Sequence, residues 1–236
     1  MRPIWTFLAL AILAAAWLPA QAVAVQAVHV EQGPKIDGSL SDPAWQAAAA
    51  FSGFLMADPR PGAEPSERTE LRIVYDSASL YIGVRCLDGE PARIAAHSMA
   101  HDGSGGGGQG YGGGGSAGDN DDVLRVLIDP FMDKRTAYFF SVNPRGARSE
   151  GLASGGEASL NWDGIWDAAG RIDAGGWSAE LRIPFKTLSF KPELTAWGIN
   201  VERFIARKQE TVRLAGCDRD CSFYNPMTAA TLSGIA

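Results

Sequence analysis

Past residue 70, apolar and polar residues alternate with a period of two in one run after another. Leu71, Ile73 and Tyr75 alternate with Arg72 and Val74, and Leu80, Ile82, Val84 and Cys86 with Tyr81, Gly83 and Arg85. Trp177, Ala179, Leu181 and Ile183 alternate with Ser178, Glu180 and Arg182, and Trp197, Ile199 and Val201 with Gly198, Asn200 and Glu202. Val123 to Asp129 is almost continuously apolar and predicts a more buried strand; Ala137 to Asn143 adds Tyr138, Phe139, Phe140 and Val142. This period places side chains alternately on the two faces of a strand. Turn-forming residues separate the runs: Asp76-Ser77, Asp88-Gly89, Asn143-Pro144-Arg145-Gly146, Asp173-Ala174-Gly175-Gly176 and Lys191-Pro192. Helical signals are few. Asp42-Pro43-Ala44-Trp45 offers an N-cap with proline at the first helical position, and residues 184–190 allow one short turn. Many short strands with so little helix predict an all-β fold: a two-sheet antiparallel, jelly-roll-like β-sandwich with one or two short helices.

Two segments break the pattern. Residues 103–118 are mostly glycine, which costs much entropy to order and has little to bury, so a flexible loop between strands is expected. A phosphate cradle would need a Gly-Lys-Ser/Thr ending and a following helix, which this stretch lacks. At the other extreme, Ile4 to Leu18 is apolar except for Thr6, follows Arg2, and leads into Ala20-Gln21-Ala22 and Ala22-Val23-Ala24. That is the layout of a cleaved export signal, and the run is shorter than the ~20 residues of a membrane span. Residues 1–24 are expected to be a signal peptide and 25–236 the exported domain, periplasmic, outer-membrane-associated or secreted.

Export changes the meaning of the three cysteines. In an oxidising compartment Cys217 and Cys221 are candidates for a disulfide across a small loop, while Cys86, inside an alternating run, is expected to be a buried thiol. A net charge of -6 gives no electrostatic reason for nucleic acid or an anionic membrane as partner. With 46% hydrophobic and 20% charged residues the chain can fill a sizeable core.

The ordered motifs resemble a known family. Ile36-Asp37-Gly38-Ser39-Leu40-Ser41-Asp42-Pro43-Ala44-Trp45 is similar to the opening of family 9 carbohydrate-binding-module-like domains, which are DOMON-like sandwiches. Also similar are Val74-Tyr75-Asp76, Leu80 to Val84, Asp121-Asp122 with Val126 to Asp129, and Ala137 to Phe140 with Val142 to Ala147. Trp162 to Trp166, Gly176-Trp177 with Glu180 and Ile183-Pro184-Phe185, and Trp197 to Asn200 complete the series. The resemblance implies a non-catalytic sugar-binding domain for poly- or oligosaccharide, in a protein concerned with polysaccharide catabolism. It is strongest to the amino-terminal domain of bacterial surface proteins that continue into a predicted outer-membrane barrel. A barrel following this chain, and the chain being a fragment, are expectations of that resemblance, and they give a second reading: a structural or docking periplasmic domain of an outer-membrane barrel protein, with no sugar ligand. The glycine stretch departs from it, since a short polar link would stand there.

Aromatic rings bind sugars because pyranose C–H faces stack on them and exclude water. Of the tryptophans past the leader, Trp45, Trp177 and Trp197 begin or flank alternating runs and are expected in the core. Trp162 and Trp166 lie in Asn161-Trp162-Asp163-Gly164-Ile165-Trp166, which reads as a loop or strand edge. They are the candidates for an exposed platform, with Asn161 and Asp163 as polar neighbours; a core role for both stays open. Asp119, Asp121 and Asp122 are closely spaced hard ligands that suit Ca²⁺, and the resemblance also implies structural calcium; a solvated acidic turn is the plainer reading. Glu31, Glu70, Glu150, Glu157, Glu180, Glu202 and Asp163 could in principle supply a glycosidase pair, but none stands in a recognisable catalytic motif. Glu180 and Glu202 are expected to be solvent-side strand residues. His97, Met99 and His101 could ligate haem as a third reading, although the segment lacks an apolar wall for a porphyrin.

Overall fold

The computed structural model describes residues 23–97, 121–216 and 220–235. Fourteen strands appear in chain order: β1 (Ala24–Gln26), β2 (Val28–His29), β3 (Leu55–Asp58), β4 (Thr69–Tyr75), β5 (Ser79–Leu87), β6 (Val123–Asp129) and β7 (Thr136–Val142), followed by β8 (Arg148–Ser154), β9 (Glu157–Ser159), β10 (Asp167–Asp173), β11 (Gly176–Pro184), β12 (Ala196–Ile205), β13 (Glu210–Arg213) and β14 (Ala230–Ser233). One sheet runs β10-β11-β5-β4-β2. The other runs β1-β14-β12-β6-β7-β8-β9, with β13 beside β12 and β3 beside β13. The fold is the expected β-sandwich. Two pairings depart from the antiparallel expectation, because β1 pairs β14 and β2 pairs β4 in parallel. The chain crosses from one sheet to the other at Ala27, whose amide donates to Ser233. An N-terminal strand that joins no hairpin is free to run parallel to its neighbour.

The alternation seen in the sequence is the core. Leu71 and Ile73 of β4, Ile82 and Val84 of β5, and Ala179 and Leu181 of β11 face Leu124, Val126, Phe140, Ile199 and Val201 across the sandwich. The short helices are five single 3-10 turns, and the described residues contain no α-helix. In the first turn, Pro43–Ala47, the Asp42 carboxylate accepts from Ala44 N as the capping signal predicts. No helix among the described residues is long and apolar enough to cross a membrane.

Both outer faces are also covered, which explains the near-continuous apolar runs. Residues 30–48 form a strap over the smaller sheet, burying Trp45 against Val74 and Tyr81 with Ile36 and Leu40 alongside. Gly83 makes room for it, since a Cβ there would stand 2.9 Å from the Trp45 ring and 2.7 Å from Leu40. On the larger sheet, Phe223 and Tyr224 pack onto Leu127, Ala137 and Phe139.

Two expected surface carboxylates are therefore internal. Glu180 of β11 points into the strap and accepts from Asp37 N (2.8 Å), Gly38 N (2.7 Å) and Trp45 Nε1 (2.8 Å). Burial pushes its carboxyl above the usual glutamate range, and those three donors oppose that shift. Glu202 is buried between Arg125 and Arg213 beneath the 220–229 segment. Alternation turns both away from the main core, and that face meets a covering segment of the chain rather than water. At one end of the sandwich Arg203 is fully buried. It donates to the carbonyls of Arg68 and Leu87 and to Thr69 Oγ1, tying β12 of one sheet to β4 and β5 of the other. Nearby, Arg207 bridges Asp88 and Glu67. Burial alone would raise both carboxyls, but hydrogen bonds from Arg207 to each, with Lys208 and Gly89 N on Glu67 and Glu90 N on Asp88, hold them below the usual range.

Two outcomes follow from this packing. Glu180→Gln would turn an NH₂ toward one of three N–H donors, and Glu180→Ala would leave all three without an acceptor. Each should cost about 2–4 kcal/mol in urea unfolding, while Glu70→Gln, half-buried on a salt bridge, should cost under about 1 kcal/mol. The depressed Glu67 and Asp88 carboxyls contribute stability that is complete above their unfolded values and is lost as pH falls through their folded ones. The urea midpoint should therefore drop as pH goes below about 4.5, and Asp88→Asn should flatten that drop.

Candidate functional site

The larger sheet extends past the smaller one at its β7–β8–β9 end. Tyr138, Phe140 and Val142 share the inward phase of β7, and Tyr138 pairs directly with Leu152 of β8, as Phe140 does with Glu150. At this end the 160–166 loop, rather than a strand, lies over the inner face. The Trp162 ring packs 4.7 Å from Tyr138 and 6.0 Å from Phe140, centroid to centroid. Gly164 is required beside it, because a Cβ there would come within 2.5 Å of the Trp162 ring. Gly164 N faces Glu150 Oε1 at 3.4 Å, and Thr187 Oγ1 donates to the Ile165 carbonyl at 2.6 Å. Ser189 N donates to the Tyr138 hydroxyl at 3.1 Å, which brings Phe190 to the same rim.

The two candidate tryptophans have parted. Trp162 is half-buried, with Asn161 and Asp163 exposed on either side of it. Trp166 is 2% exposed and packs 5.0 Å from Phe140 under the Arg148 guanidinium. The Trp166 platform expectation is corrected: a ring enclosed on both faces offers none to a ligand. The alternation of side chains into β10 turns it inward. Around Trp162 the structure adds residues that the sequence reading did not select. Leu152, paired with Tyr138, is 40% exposed, and Leu160 (54%) and Ile165 (76%) are exposed apolar residues of the same loop as Trp162. Tyr138 was legible as an inward strand residue; that it lies beyond the cover of the second sheet was not.

Of the acidic candidates, Asp121 and Asp122 lie among the described residues. Asp121 accepts from His97 N and faces His97 Nδ1 at 2.7 Å through one oxygen, and accepts from Asn143 Nδ2 at 3.0 Å through the other. Asp122 accepts from Ala206 N at 3.0 Å on a different side. Burial raises the Asp122 carboxyl, with the Ala206 amide and Arg203 acting against it. These two carboxylates each serve internal donors, Asp121 those of His97 and Asn143 and Asp122 that of Ala206. Among the described residues no group of three or more His, Cys, Asp or Glu side chains could hold a metal. Asp119 lies outside the described residues, as do Met99 and His101, the 103–118 stretch and residues 1–22 of the leader. So does Cys217, and with it the expected disulfide; Cys221 Sγ lies 3.8 Å from the Ser222 carbonyl. Cys86 is buried as expected, and burial pushes its thiol up to about 11.

A second concavity, of about 720 Å³, lies at the strap between Gln32, Lys35, Asp42, Asp76, Tyr81 and Arg182. The Asp76 carboxylate is already occupied by Gly33 N, Ala78 N, Ser79 N and the Tyr81 hydroxyl. Burial, and then the bond to Asp76, push that hydroxyl up to about 12. Tyr81 is buried, so this depression presents no aromatic face.

The sequence matches no family model and no curated protein. Solved structures do match. A family 9 carbohydrate-binding module from Caldicellulosiruptor kristjanssonii in complex with cellotriose superposes with a TM-score of 0.59 at 17% identity, over 89% of this chain and 92% of that one. This protein has the family 9 module fold. A family 9 module of the same organism in complex with glucose gives 0.58 at 15% identity over 88% and 94%. A Bacteroides uniformis protein provisionally assigned to carbohydrate binding gives 0.62 at 12% identity over 90% and 99%. At these identities the likeness is one of fold, and the chain covers nearly the full length of each module-type structure.

The different settings of the two tryptophans are measurable. Trp166→Ala should cost about 3–5 kcal/mol in urea unfolding, as for a large ring removed from a packed core. Trp162→Ala, starting half-exposed, should cost about half that, leaving a folded protein in which binding can be assayed.

Proposed function

We propose that this chain is a carbohydrate-binding module with no catalytic centre of its own, and that it takes an oligosaccharide on the Trp162 platform. The observation that carries the reading is Trp162, half-buried on Tyr138 in a loop where its sequence neighbours Asn161 and Asp163 are exposed. An apolar ring face with hydrogen-bonding groups at its edge matches the two-sided chemistry of a sugar. The shared fold with modules solved in complex with cellotriose and glucose supports the same ligand class. Glu180 and Glu202, internal and engaged with donors, favour a non-catalytic role. Export through the 1–24 leader, and service within a larger surface protein acting on polysaccharide, complete the proposal; Arg2, the apolar run and the A-x-A sites support export.

Isothermal titration with glucose, cellotriose and xylotriose tests it. Heat should be released with at least one of them, and Trp162→Ala should weaken binding about tenfold or more with its melting transition intact. Absence of heat with all three sugars, or unchanged affinity in Trp162→Ala, would overturn the site.

A further inference from the structure

The loop that carries Trp162 also contains a backbone bond prone to rearrangement. Three Asp–Gly pairs fall among the described residues: Asp37–Gly38, Asp88–Gly89 and Asp163–Gly164. In such a pair the glycine amide nitrogen can attack the aspartate side-chain carbon, because no Cβ shields the nitrogen. The attack requires a carboxyl free to swing and an amide free to turn.

The first two pairs are held. Asp37 accepts from Ser39 N, and Gly38 N is buried against Glu180 at 2.7 Å in a left-handed conformation. Asp88 is buried and bonded to Arg207 and Glu90 N, and Gly89 N donates to Glu67 at 3.1 Å. The third pair is not held in this way. Asp163 is exposed, with no donor or cation at its carboxylate among the described residues. Gly164 N donates one long hydrogen bond, 3.4 Å, to Glu150 Oε1, and residues 160–166 belong to no strand, tethered next to the pair by Thr187 Oγ1 on the Ile165 carbonyl.

We propose that Asp163–Gly164 is a site of spontaneous succinimide formation and isoaspartate conversion. The Gly164 N–Cγ bond of Asp163 forms, and the hydroxyl of the neutral Asp163 carboxyl leaves as water with the amide proton. Glu150 Oε1 is positioned to carry that proton. Water then adds to one of the two ring carbonyls. Opening at Cγ restores aspartate. Opening at the α-carbonyl leaves isoaspartate, with the main chain one carbon longer and the carboxylate on Cα. No oxidant or further reactant is needed. The extra carbon falls where Gly164 lies against the Trp162 ring, so the change shifts the platform. This last consequence rests on the sugar-binding reading; the rearrangement does not.

The test is to hold the whole chain near neutral pH at about 37 °C for weeks, then map peptides by mass spectrometry with isoaspartyl-methyltransferase labelling. Isoaspartate should accumulate at 163 about tenfold or more over 37 and 88, since freeing either of those must first break charge-assisted hydrogen bonds. Asp163→Glu, which would have to close a larger ring, should abolish the signal, and Asp163→Asn should accelerate it. Equal accumulation at the three pairs, or none at 163, would overturn the proposal. Titrating fresh and aged protein with cellotriose separates the two readings. Isoaspartate at 163 in a protein that binds no sugar even when fresh leaves the modification standing and removes the sugar reading. Full sugar affinity in converted protein removes the shift of the platform.

Discussion

Glu180 holds the strap to the smaller sheet. One oxygen accepts the Asp37 and Gly38 amides and the other accepts the Trp45 indole, so a single side chain on β11 satisfies three donors from one strap. Ser178, two residues earlier on the same face, donates to the Gly38 carbonyl at 2.6 Å and closes the fourth polar contact. A buried carboxylate is costly by itself, and it is tolerated here because three N–H donors converge on it. In return the strap buries Trp45 in the space left by Gly83 and seals a sheet face that would otherwise expose Val74 and Tyr81.

The larger sheet shows the same logic at other points. Arg125, Glu202 and Arg213 form an internal charge group beneath the C-terminal segment, and Arg213 also donates to the Gly216 and Cys221 carbonyls. Arg203 performs the inter-sheet connection with carbonyl acceptors. Charged residues at outward strand phases are thus fasteners for covering segments. The half-buried Trp162 lies on Tyr138 at the β7–β8 side of the larger sheet, in a loop rather than under a strand of the smaller one.

By itself the sequence determined the six long central strands β4, β5, β6, β7, β11 and β12, most of their inward residues, the capped turn at Asp42 and the β-sandwich class, because these depend on local periodicity and on turn chemistry; the shorter and edge strands carry no such pattern. It also narrowed the aromatic candidates to one loop. The tertiary structure decided the rest. Trp162 and Trp166 are four residues apart in a segment without regular periodicity, so no local rule distinguishes the one left at the rim from the one enclosed by Phe140 and Arg148. Glu180 and Glu202 carry the alternation of solvent-facing residues, yet strap and C-terminal segment arrive from more than a hundred residues away in one case and about ten to twenty in the other. Asp121 and Asp122 are adjacent in sequence, yet the first serves His97 and Asn143 and the second the Ala206 amide, partners that no local pattern announces. Period-two patterning tells which side of a strand a residue is on; only long-range packing fixes what lies on that side.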